Sequence, residues 1–203
     1  MKKFLIFSFG LVLSISLIGM LSGEEECPET GTSYDPLIKE AYDVHQKFVA
    51  ADLSVDKGVN TFKEIFATTM GKSEEEKEEL MAMADTAFVS MLSDEEVQAE
   101  LKEKLTDEGK ASLDTVKVQM DVALVDFRDA NDAAGSLVKK IPGAIKELPS
   151  KFKGLNAMKI PKVKAALEKA LGWANEVVDN VSPQITMVTS VVEIITGLVS
   201  GGE

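Results

Sequence analysis

The sequence predicts an all-α fold: a multi-helix, mainly antiparallel bundle built around one long central helix, after an N-terminal signal segment. Three observations carry this reading. From Leu113 to Ile141 the apolar residues fall at Leu113, Val116, Met120, Ala123, Phe127, Ala130, Ala134, Leu137 and Ile141, in steps that alternate three and four without exception. This is the seam of an amphipathic, coiled-coil-like helix, with a repeat of about 3.5 residues. Helix start signals recur along the chain on both sides of it. No stretch shows sustained two-residue alternation, so no sheet is expected. Residues between the seam positions, among them Asp114, Lys117, Asp121, Asp126, Arg128, Asp129, Asn131 and Asp132, belong in water. So long a helix needs partners that cover its seam.

The chain opens with Lys2 and Lys3 before an apolar run from Phe4 to Leu21, then Ser22 and Gly23. A basic start, an apolar middle and small residues at the end describe a secretory signal peptide over residues 1–23, and hence a secreted or periplasmic protein. An uncleaved membrane anchor is the alternative, because about 18 or more apolar residues can span a bilayer. Lipid attachment at Cys27 would need the thiol directly after the small residues, and Glu24, Glu25 and Glu26 intervene. A lone Cys forms no internal disulfide. Residues 24–34 read as a flexible acidic leader, and 35–203 as a single helical-bundle domain.

Asp35-Pro36 supplies an N-cap and a first-turn proline. Leu37, Ala41, Val44, Phe48, Ala51 and Val55 follow at helical spacing, and the register passes Gly58 to Phe62, Ile65 and Thr69. One helix carrying Gly58 at a cost of about 1 kcal/mol, or two joined there, both satisfy the pattern. Gly71 is a stop. Ser73 with Glu76 is a capping box, and Glu74 to Glu76 suit the positive end of a helix dipole. It opens a broad apolar face from Leu80 to Leu92. Ser93 with Glu96 repeats the signature and opens a short helix through Val97, Leu101 and Leu105. Thr106 caps the central helix and Pro142 ends it. A loop with short turns is expected up to Ile160, and Pro161 starts a helix with Val163, Leu167, Ala170, Ala174, Val177 and Val181 on one face. Ser182-Pro183 kinks or ends that helix. The last helix, 184–199, carries one charge, Glu193, and is either packed in the bundle or inserted in a membrane. Its apolar stretch is shorter than the roughly 20 residues that span hydrocarbon, which favours packing.

Composition narrows the chemistry. The 203 residues carry a net charge of -12 with one His, one Trp, one Cys and one Arg. An acidic chain repels phosphate backbones, so nucleic acid is not an expected partner. Charge is uneven: nine lysines between residues 139 and 169 face only Glu147 and Glu168, an excess of seven. Either this segment lies over the acidic helices between Glu74 and Glu108, or it meets an anionic lipid surface or another acidic partner. Lys151, Lys153, Lys159 and Lys162 are the candidate contacts.

Motif resemblances fail on context. Gly71-Lys72-Ser73 lacks the first glycine and the preceding strand of a phosphate loop. Asp52, Ser54 and Asp56 resemble the start of a calcium loop, but Lys57 replaces its glycine and Lys63 its closing acid. Asp129, Asn131 and Asp132 fail similarly. A single histidine excludes a di-iron bundle centre, and any triad would need His45, which sits beside the first helix's seam as a structural residue. No catalytic residue, metal or cofactor is expected, and no feature fixes an oligomeric state. Met81, Met83, Met91 and Met120 suit either core packing or an adaptable cavity for an apolar ligand. The expectation is an exported, non-catalytic bundle that binds an apolar ligand, a lipid surface or an envelope partner; the alternative is a membrane-inserting, pore-forming protein.

Overall fold

A computed structural model of the protein describes residues 26–200; the expected signal segment, 1–23, lies outside the described residues. Three long helices form the body: α1 (Asp35–Thr69), α5 (Asp107–Lys151) and α6 (Ile160–Val199). Between α1 and α5 stand three short ones, α2 (Glu74–Ala82), α3 (Asp85–Leu92) and α4 (Glu95–Lys104). A 3-10 turn, Gly154–Lys159, joins α5 to α6. The described residues form no strand. The fold is an all-α, multi-helix bundle.

All nine seam residues of the central helix are buried. Its antiparallel register against α1 is set by polar pairs at the seam's edge. Gln119 Nε2 donates to Ser54 O and Oγ at 3.0 and 3.1 Å, and Lys47 Nζ reaches Asp126 and Asp129 at 3.1 and 2.8 Å. Inside, the Phe48 and Phe127 rings lie 5.6 Å apart. α1 is one helix through Gly58, and the reason is contact. A Cβ on Gly58 would stand 2.4 Å from Met120 Cε, the tip of a flexible side chain, so glycine makes room for Met120 as placed.

α1 is buried on two flanks because it lies between α5 and α6. Ile38, Ala41, His45, Phe48, Asp52, Val55, Val59, Phe62 and Phe66 are all buried, again in alternating steps of three and four. Two of these seam positions therefore carry polar side chains. His45 stacks on Trp173 of α6 with centroids 6.1 Å apart, and its Nε2 is 3.2 Å from Glu176 Oε2. Asp52 is 3% exposed, and its Oδ1 has no hydrogen-bond partner. Burial, and then the charges of Asp56 and Asp85, push its carboxyl up to about 6.

Several boundaries differ from expectation. Pro142 does not end α5, which runs on to Lys151 with Pro142 and Pro149 inside it. A proline forfeits one backbone bond, while the seam holds its register across it, from Leu137 and Ile141 to Leu148, each at most 1% exposed. The expected loop shrinks to Phe152–Lys159. Ser182-Pro183 likewise leaves α6 unbroken. Val177 and Val181 before it, and Val188, Val191, Ile195 and Leu198 after it, keep one seam, and Pro183 is on the exposed face. The 184–199 segment is therefore no separate short helix, and an 18-residue window of the 3-10 turn and α6 is long and apolar enough to cross a membrane, with 33% of it buried.

The expected single helix over Leu80–Leu92 is two, broken at Met83–Ala84. The break frees the Met83 carbonyl, and the buried Lys63 uses it: Nζ donates to Met83 O at 2.6 Å and to Asp85 Oδ1 at 2.7 Å. The Ser73–Glu76 capping box forms. The second one does not: Asp94 caps α4, accepting from Glu96 N and Val97 N, and Ser93 donates back to Val89 O. Thr106 caps α5 through Gly109 N. Asp35 is not the cap of α1, which starts after Tyr34. Its carboxylate instead accepts from Thr30 N, Gly31 N, Thr32 N and Thr30 Oγ1, which ties residues 30–32 to the start of the helix.

Candidate functional site

The three long helices make the molecule a rod. α5 has 45 residues, about 70 Å at 1.5 Å per residue. One end is the α5–α6 turn, to which the start of α1 is tied by the Tyr34 and Phe152 rings, 6.2 Å apart. The other end carries α2, α3 and α4. Phe88 of α3 meets Phe62 and Phe66 near the end of α1 at 5.5 and 5.9 Å, and Lys102 of α4 reaches Gly197 O at the end of α6 at 3.0 Å.

Charge follows this division. The far end holds thirteen acids against three lysines between residues 74 and 108. The turn end holds Lys151, Lys153, Lys159 and Lys162, all exposed, with Lys146 and Lys164 within about two helical turns. The lysine-rich segment thus does not lie over the acidic helices; the body of the bundle separates them. Lys164 pairs with Glu168 at 3.5 Å and Lys140 with Glu40 at 3.9 Å, whereas Lys146, Lys151, Lys153, Lys159 and Lys162 form no ion pair among the described residues. Counter-charges at this end are Glu26, Glu29, Glu40, Asp43, Glu147 and Glu168, all exposed, and the half-buried Asp35; of these, Glu40, Asp43 and Glu168 pair with Lys140, Lys39 and Lys164.

Local structure explains how these lysines converge. Lys151 closes the last turn of α5, where a cation suits the negative end of the helix dipole. Gly154 takes a positive φ of 62°, which lets the chain reverse. Lys159 and Lys162 flank the start of α6. Among them stands Met158, 84% exposed. Sequence reasoning missed Met158; a methionine between Lys153 and Lys159 in a short polar turn was the available signal.

The four other candidates do not join this site. Met120 is fully buried against Gly58. Met83 and Met91 pack partly buried against the core from the α2–α3 break and the end of α3, and Met81 lies on α2. A groove of about 270 Å³ near the far end is lined by Ser93, Gln98, Ser190, Glu193 and Ile194, with no methionine and mostly polar walls.

Other chemistry-bearing residues are occupied structurally. His45 is packed against Trp173. Cys27 is half-buried, and burial pushes its thiol up. Among the described residues no cluster of three or more His, Cys, Asp or Glu is arranged to hold a metal. Comparison with known protein families, with curated proteins and with solved structures finds no match for this chain.

Proposed function

We propose that this is an exported, non-catalytic helical-bundle protein that binds an anionic lipid surface through the lysine-rich end of its rod. The observation that carries the reading is the uneven charge: five lysines without an ion pair among the described residues, Lys146, Lys151, Lys153, Lys159 and Lys162, gather at one tip, while thirteen acids against three lysines lie between residues 74 and 108 at the other. A lysine near an anionic membrane contributes about 1 kcal/mol, so the cluster supplies attraction that a chain of net charge -12 otherwise lacks. The exposed Met158 adds an apolar contact at the same place. A basic, apolar N-terminus supports export. The packed His45 supports a non-catalytic role.

The apolar ligand reading draws less support, since its methionines are dispersed. A pore-forming role has one specific observation in its favour, the length and apolarity of α6. Vesicle sedimentation with a leakage readout separates the readings. Binding to anionic but not neutral vesicles, without dye release, and weakening towards about 0.5 M salt as screening shortens, is the expected result. Equal binding to neutral vesicles contradicts the reading. Dye release at low protein-to-lipid ratio replaces it with the pore.

A further inference from the structure

We propose that the bundle docks end-on, with the α5–α6 turn in the headgroup layer and the rod axis close to the membrane normal. This rests on the lipid reading above and adds the pose. An anionic bilayer is the occupant that the charge pattern selects, because the tip is basic and the opposite end repels such a surface.

The geometry makes the two poses unequal. Lys63, Met83 and Asp85 mark the level at which α2 and α3 join the rod. Lys63 is 28 residues along α1 from Asp35, about 40 Å from the tip at helical rise. Electrostatic forces fade over a Debye length of about 8 Å at physiological salt. End-on, the lysines lie within that distance of the headgroups and the acids of α2–α4 lie several such lengths away. Lying flat, the rod would bring part of the far end's thirteen acids onto the same surface as the lysines. Met158, 84% exposed, adds an apolar side chain at the tip, while the exposed Val118, Val122 and Val125 stand along α5, so the pose rests on the charge pattern. The chain also enters α1 at this tip, through Tyr34 against Phe152.

Site-specific labels test the pose. In the exported protein with Cys27→Ser, an environment-sensitive dye is placed at Met158→Cys, at Asn156→Cys, or at Glu103→Cys on α4. Each is mixed with vesicles containing anionic lipid and headgroup-level quenchers. The expected result is strong quenching at 156 and 158, at least severalfold above that at 103. Asn156, exposed in the same turn, serves if replacing Met158 weakens binding. Binding with equal quenching at all three positions overturns the end-on pose while leaving lipid binding standing. Stronger quenching at 103 overturns the pose and the choice of surface. Absence of binding in every labelled protein removes the lipid reading and the pose with it.

Discussion

Asp52→Asn is expected to stabilise the protein at neutral pH and to do almost nothing in mild acid. Asp52 occupies a core position of α1, 3% exposed, with Oδ1 unpartnered. Burial, then the charges of Asp56 and Asp85, raises its carboxyl from 3.8 to about 6. A folded pKa above the unfolded one means that the folded state holds its proton more tightly. The stability this gives is complete below about pH 3.8 and is lost as pH rises through about 6. The difference of about 2.2 units, at 1.36 kcal/mol per unit, is about 3 kcal/mol. Asparagine keeps the shape and never ionises. The gap between variant and parent should therefore grow from under about 1 kcal/mol near pH 4 to about 3 kcal/mol near pH 7.5. Urea melts at the two pH values measure it, with ΔG taken from midpoint and slope. A gap that is the same at both, or a variant less stable than the parent near pH 7.5, would refute the assignment of Asp52 as a buried, charge-penalised residue.

Two further substitutions test the packing. Phe127→Ala should cost about 3–5 kcal/mol, since the ring is fully buried against Phe48, whereas Asp132→Ala on the exposed face should stay within about 0.5 kcal/mol; denaturant melts compare them. Lys63→Met should cost about 3 kcal/mol by leaving Asp85 and the Met83 carbonyl without their cation, and adding Asp85→Ala should cost less than the sum of the single changes, as a double-mutant cycle would show.

The central helix was legible because its seam is strict and faces partners throughout. Its true length was not, because Pro142 is a local stop signal and the seam residues beyond it a non-local one; Leu148 at the continued register was the clue. The same holds for Ser182-Pro183, where Val188 to Leu198 keep the register of Val163 to Val181. In α1 the pattern offered pairs of adjacent positions, such as Val44 and His45 or Ala51 and Asp52. A seam read from apolar residues alone takes the first of each pair. A helix between two neighbours also buries the second, which is how His45 and Asp52 enter the core while Val44 stays half-buried. The break at Met83–Ala84 had no local signature, since its stabilising partner, Lys63, lies 20 residues away in sequence. Of the candidate site, the lysines were legible as composition. Their distance from the acidic helices followed from the length of α5, which carries the segment to the opposite end of the rod.

Binding of anionic vesicles by two matched variants tests the central claim most directly. One replaces Lys151, Lys153, Lys159 and Lys162 by Gln; the other replaces Lys77, Lys102, Lys104 and Lys110 near the far end. Both change the net charge by the same amount. At about 1 kcal/mol per lysine near the surface, the first should bind roughly a thousandfold more weakly than the parent, since every 1.4 kcal/mol is tenfold. The second should stay within a few fold. Equal weakening of the two would mean that net charge alone governs the interaction, and unchanged binding by the first would contradict the lysine-rich tip as the membrane contact.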